Sequence, residues 1–198
     1  MEVYKMEKQL LITGFEPFGG SDTNTSWMAV EQLPNCVGSY ILHKLKLPTI
    51  YGEAARMVLT AANRLHPNLI LCVGMAAGRS AITPERIGVN IQDARIPDNA
   101  GKQPQGERII PDGPAAYFST APIQAITQAI NAQQLPSVIS NTAGTFVCND
   151  LLYTLLHHFH QTDVQVGFIH VPSLPSQSEN GLPLTQIVTA LIAAINAC

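Results

Sequence analysis

Two short apolar runs that stop at glycine constrain this chain most. Gln9–Thr13 (QLLIT) halts at Gly14, and Leu69–Val73 (LILCV) halts at Gly74. A strand that is apolar along its length has to be covered on both faces, as in the parallel sheet of an α/β protein. The segments between such runs carry helical spacing. Tyr51–Leu65 places Ala54, Val58, Leu59, Ala62 and Leu65 three or four residues apart and stops before Pro67. Ser26–Leu33, Ile123–Gln134, Asp150–His160 and Pro183–Ala197 also read as helices. Tyr40–Leu47, Arg86–Ala94, Ser137–Ser140 and Val166–Val171 read as strands. Ile96–Pro114, rich in Pro, Gly, Asp and Asn, reads as loop or short hairpin. The alternation predicts a single-domain α/β/α sandwich over residues 1–198, with a mostly parallel twisted sheet flanked by helices.

Composition removes several classes of function. Only 13% of residues are charged and 46% are hydrophobic, which excludes a disordered chain. A formal net charge of −3 argues against nucleic acid, because neutralising phosphates needs clustered Lys and Arg. No apolar run reaches the roughly 18 residues of a membrane span. Met1–Lys8 lacks the basic-then-apolar order of a secretory leader. Cys36, Cys72, Cys148 and Cys198 are scattered without metal-ligand spacing, so reduced thiols and a cytoplasmic location are expected, with no metal or cofactor signalled. A chain this poor in charge must also dress its surface with uncharged polar groups or hide part of it by self-association.

In such sheets ligands bind beyond the carboxyl ends of the strands. The first strand ends in Gly14-Phe-Glu-Pro-Phe-Gly-Gly20. Phe15 and Phe18 in that loop either fold back on the core or wall a small apolar pocket. Ser137–Ser140 leads through Asn141–Val147 to Cys148 at the start of a helix, where the dipole favours a thiolate and free N–H groups can hold an oxyanion. A lone Cys is more often a small buried hydrophobe, as Cys72 inside its strand must be. A thiol nucleophile needs a base, and the base needs an orienting partner. His170 ends an apolar strand and should point into the ligand edge. Placement alone equally fits a hydrogen-bonded core histidine. Glu85, after Thr83-Pro84, is an acid near a strand entrance.

Six segments together resemble the pyroglutamyl peptidase type I family. They are TGFEPFGG at 13–20, PER at 84–86, DARIPDNAGKQP at 93–104, GPAAYF at 113–118, TAGTFVCN at 142–149 and GFIHVPSLP at 167–175. The resemblance runs in order through nearly the whole chain. It implies a cysteine peptidase that removes N-terminal pyroglutamate from peptides, with Cys148 as nucleophile, His170 as general base and then acid, and Glu85 as the residue that orients His170. It further implies that Phe15 and Phe18 clamp the lactam ring and that Phe146 and Val147 supply a wall and backbone hydrogen bonds. Thr49 and Ile96 become supporting candidates, Arg95 becomes an oxyanion partner, and a homotetramer is implied. Ordinary aminopeptidases rely on the α-ammonium that the lactam lacks, so an apolar slot with a donor and an acceptor suits this group.

The chain departs from the family pattern at Met75, where Gln is usual, at Thr25 in NTSW, where Pro is usual, and at Asp150, where His often follows CN. Ser176–Leu184 also looks shortened. Met cannot replace the hydrogen bonds of a Gln at a strand's carboxyl end. The alternative reading is therefore a catalytically weakened relative that binds blocked N-termini. A phosphorylase-like enzyme on a similar fold lacks support, since no Arg/Gly phosphate nest is visible.

Overall fold

The computed structural model describes residues 7–198, so most of the Met1–Lys8 segment lies outside it. The first apolar run forms β1 (Lys8–Phe15), and α1 (Thr25–Gln32) follows. A short β2 (Cys36–Val37) turns into β3 (Tyr40–Leu47), which leads to α2 (Glu53–Leu65) and β4 (Leu69–Met75). Next come β5 (Thr83–Pro84), β6 (Ile87–Val89), β7 (Ala116–Phe118), α3 (Ile123–Ala132), α4 (Val147–Phe159), β8 (Gln165–Val171) and α5 (Leu184–Asn196). The main sheet has six strands in the order β2-β3-β1-β4-β8-β5. Its central ladders β3-β1-β4-β8 are parallel, while β2 and β5 pair antiparallel at the two edges.

Strand parity divides the core. Leu10, Ile12, Leu71, Val73, Ile169 and Val171 face a cluster closed by α1, α3 and α5. Leu11, Ile70, Cys72, Val166 and Phe168 face a second cluster closed by α2 and α4. The sandwich expected from the alternation is therefore present, with five helices on a mixed, mostly parallel sheet.

Two strand assignments are corrected. Within Arg86–Ala94 only Ile87–Val89 is strand, and it pairs with β7 in a separate two-stranded sheet, while Gln92 bridges Glu107 across the loop that follows. Alternation reports one buried face and does not say which sheet buries it. Ser137–Ser140 is not a full strand either. It runs beside residues 82–86 through two parallel bridges, Ile82 to Ser137 and Glu85 to Ser140. The third correction concerns α4, which starts at Val147 rather than at Asp150, so Cys148 lies inside its first turn.

Candidate active site

The site is assembled at the carboxyl ends of β4 and β8. In the parallel ladder Gly74 stands opposite His170, and parity turns both toward α4. Cys148 descends on Gly74 from the helix: a Cβ added there would lie 3.0 Å from Cys148 Sγ and 2.8 Å from Phe168 Cζ. Glycine thus clears the space that the sulfur occupies. The His170 ring sits against Phe168, centroids 4.7 Å apart. On the far side of His170, its Nδ1 donates to Glu85 Oε1 at 2.7 Å, and both side chains are buried. β5 brings Glu85 there, since Thr83 pairs with His170 and the Glu85 N–H donates to the Phe168 carbonyl at 2.8 Å. The hydrogen bonds of the described residues do not include one between the Cys148 thiol and His170.

Electrostatics favour an uncharged pair at rest. Burial pushes the Cys148 thiol up to about 12, helped by the charge of Glu85, while Arg79 and the residue's own N–H pull the other way. Burial likewise holds His170 below the usual imidazole value, against the pull of Glu85. Burial raises the Glu85 carboxyl, but its interaction with His170, followed by smaller ones with Ser140 and Arg79, brings it below the usual carboxylate range. A neutral thiol beside a neutral imidazole whose Nδ1 is occupied leaves Nε2 as the available base. The first turn of α4 has no side-chain cap, and the N–H groups of Val147 and Cys148 have no intrahelical acceptor. They suit a developing oxyanion.

A cleft of about 450 Å³ opens beside this junction, walled by Phe18, Phe146, Ile96 and Arg95. The Phe18 and Phe146 rings lie 6.0 Å apart, and Tyr51 meets Phe146 edge-on at 5.4 Å. Polar ties fix its loops. The Asn99 amide donates to Glu16 Oε1 and to the Pro17 carbonyl, both at 2.9 Å. The Thr145 hydroxyl donates to the Asp93 carbonyl at 2.7 Å.

The structure divides the pocket candidates. Phe18, Phe146, Arg95 and Ile96 line the cleft. Phe15 is core, its ring 6.4 Å from Phe168, and the Val147 side chain is core as well. Thr49 is buried and its hydroxyl donates to the Glu16 carbonyl at 3.3 Å, bracing the loop that carries Phe18. Met75 faces away, with Sδ 3.5 Å from the Thr25 hydroxyl on the side of α1. Sequence reasoning missed Arg79, whose Nη1 donates to Glu85 Oε1 at 2.7 Å. Its signal was the Ala76–Arg79 segment directly after β4, where the strand-end rule also applies.

A doubly covered sheet with a thiol at a helix N-terminus, an imidazole on the adjacent strand and a buried carboxylate behind it defines an α/β protein of the cysteine-peptidase kind. The pyroglutamyl peptidase family model, peptidase family C15, matches residues 8–198. The chain belongs to that family. It is 48% identical to a pyrrolidone-carboxylate peptidase of Levilactobacillus brevis over 96% of each chain. It is also 48% identical to one of Staphylococcus aureus, over 95% of this chain and 92% of the relative. Among solved structures it resembles pyroglutamyl peptidase I of Bacillus amyloliquefaciens, with TM-score 0.92 and 42% identity over 96% of this chain and 97% of that one. It also resembles the pyrrolidone carboxyl peptidase of Thermococcus litoralis, with TM-score 0.91 and 35% identity over 96% and 92%.

Proposed function

We infer that the protein hydrolyses the bond after an N-terminal pyroglutamyl residue, with Cys148, His170 and Glu85 as its catalytic triad. The observation that carries this reading is the 2.7 Å bond from His170 Nδ1 to buried Glu85, on the face where Cys148 Sγ stands over Gly74. His170 Nε2 takes the thiol proton as sulfur attacks the pyroglutamyl carbonyl carbon. The C–S bond forms, and the carbonyl oxygen takes up negative charge facing the Cys148 N–H and Arg95. The C–N bond then breaks, and the amine leaves with the proton held by His170. Water, deprotonated by the same nitrogen, attacks the thioester and releases pyroglutamate and the free thiol. Glu85 fixes the imidazole tautomer and balances the imidazolium. Phe18, Phe146 and Ile96 supply the apolar slot for an uncharged lactam. Phe15, Thr49 and the Val147 side chain act from behind it, by packing and by bracing the loops.

Hydrolysis of a chromogenic pyroglutamyl amide tests this reading. We expect turnover by the wild-type protein and a loss of at least about 10³-fold in Cys148→Ser. Tight binding of pyroglutamyl peptides without wild-type turnover would replace it with the binder reading. The sequence ground for that alternative was Met75, which lies on the opposite face of the sheet. We read residues 1–198 as one domain. The four free thiols support a cytoplasmic location. Exposed Phe118 and Val138 support burial of surface in a homotetramer, which light scattering on the purified protein would check.

A further inference from the structure

Arg79 stands in the loop between β4 and β5, at the edge of the triad rather than within it. One guanidinium ties its own loop to two other segments. Nη1 donates to Glu85 Oε1 at 2.7 Å and to the Thr83 hydroxyl, and Nη2 donates to the Thr142 carbonyl at 3.2 Å, on the loop that leads to Cys148. The same Glu85 oxygen receives the His170 Nδ1–H at 2.7 Å. The other oxygen, Oε2, has no hydrogen-bond partner among the described residues, although the Ser140 hydroxyl lies beside the carboxylate. Arg79 is 30% exposed while Glu85 is 0% exposed, so the cation closes the pocket from the solvent side.

The charge balance of this pocket is unusual. The titratable groups facing Glu85 are His170 from β8, Cys148 from α4 and Arg79 from the loop. With the imidazole and the thiol neutral at rest, Arg79 is the cation that offsets the carboxylate. A buried carboxylate deprived of its counter-charge takes up a proton rather than remain charged. A protonated Glu85 could then donate to Nδ1. The imidazole proton would move to Nε2, and the base facing Cys148 would be lost.

We propose that Arg79 is a positioning residue for the reaction: bound to the same carboxylate oxygen as His170, it holds Glu85 as the acceptor of the Nδ1 proton and keeps Nε2 bare toward Cys148. This inference rests on the triad reading given above. A mere loop brace would leave the pH dependence of activity unchanged. The Glu85–His170 pair titrates as a unit, and its inactive form carries one extra proton. The Arg79 cation opposes that proton on either partner, so removing it moves the acid limb of activity to higher pH.

The test is kcat/KM against pH, on a chromogenic pyroglutamyl amide, for wild type, Arg79→Gln, Arg79→Lys and Glu85→Gln. For Arg79→Gln the acid limb should rise by about one to three pH units, the span an adjacent opposite charge commands. Activity should then be down roughly 10- to 100-fold at pH 6 and recover to within about threefold near pH 9, with KM nearly unchanged. Arg79→Lys, which keeps the charge, should hold its acid limb near that of wild type. Glu85→Gln should be depressed at every pH. A uniform loss in Arg79→Gln at all pH values, or a change confined to KM, would overturn the proposal. If Glu85→Gln kept full activity, the triad reading itself would fail, whatever Arg79 did. Arg79→Met keeps the length of the stem without the charge and gives the same reading should the Gln variant not fold.

Discussion

The face of the sheet covered by α1, α3 and α5 buries Leu10, Leu71, Ile169 and Leu191 in hydrocarbon. The face covered by α2 and α4 sets Leu151 and Phe168 beside fully or nearly fully buried Asn149, Asp150 and His170. The helices on the two faces are positioned by different means. The residues immediately after Cys148 fasten α4 with directional bonds. Asn149 accepts the Val89 N–H at 2.9 Å and donates to the Val89 and Ile91 carbonyls at 2.9 and 3.0 Å. Asp150 accepts the Gly52 N–H at 2.9 Å and the Gln92 amide at 2.6 Å. Apolar packing tolerates small shifts, whereas a satisfied polar network fixes one geometry. Polar anchoring of α4 therefore lies beside the group whose placement decides the chemistry. On the far face the polar ties gather at the start of α1, where Asn24 caps the helix and Ser26 Oγ accepts the Phe15 N–H at 3.0 Å, while α3 and α5 pack mainly through hydrocarbon.

If the far face is scaffold alone, its damage should appear in stability and not in turnover. Leu191→Ala removes a fully buried side chain of α5. We expect a loss of about 3–5 kcal/mol in urea unfolding. The kcat/KM of the folded protein, assayed at low temperature, should stay within about twofold of wild type. A tenfold fall in turnover would mean that the two faces are coupled.

The near face should respond in the opposite way. Gly74→Ala inserts a methyl 3.0 Å from Cys148 Sγ and 2.8 Å from Phe168 Cζ. The sulfur or the ring must move, and misplacement of a reacting atom by a fraction of an ångström to one ångström costs roughly 10- to 100-fold in kcat. Overpacking should cost about 1–3 kcal/mol of stability as well. Retention of full kcat in this variant would show that the sulfur is not held over residue 74 in the working enzyme.

The same contrast explains what could be read from the sequence. β1 and β4 were legible because two-sided burial leaves a continuous apolar run. The strand-end and helix-start rules made Cys148 and His170 candidates only, and the resemblance of TAGTFVCN and GFIHVPSLP to a family pattern gave them their roles. Ile87–Val89 shows the limit, since alternation identifies a half-buried strand while its partner at Ala116–Phe118 lies far along the chain. The start of α4 was misplaced by three residues because Phe146 carries no capping side chain, which also leaves the Cys148 N–H, at the second helical position, without a side-chain acceptor. Phe15 and Phe18 occupy one short motif and separate into core and cleft, a distinction that composition cannot draw. Arg79 was hidden for another reason. A cation in a Gly-containing loop reads as solvated until a fold places a buried carboxylate 2.7 Å away.

Met75 gives the smallest expected effect and the sharpest test of the division between faces. As a departure at the end of β4 it suggested a weakened site, but parity sends its side chain with Leu71 and Val73 toward α1. An amide is already present there. Gln177 Oε1 accepts from the Thr25 hydroxyl at 3.3 Å and from the Leu174 N–H at 3.1 Å, and its Nε2 donates to the Thr23 hydroxyl at 3.1 Å. A second amide at position 75 would join that cluster, and nothing would carry its effect through the sheet to His170. Met75→Gln should therefore leave kcat/KM on a pyroglutamyl amide within about twofold of wild type and shift stability by less than about 1 kcal/mol. A rise of tenfold or more would show that residue 75 reaches the substrate from the far side. The sheet would then no longer separate scaffold from site.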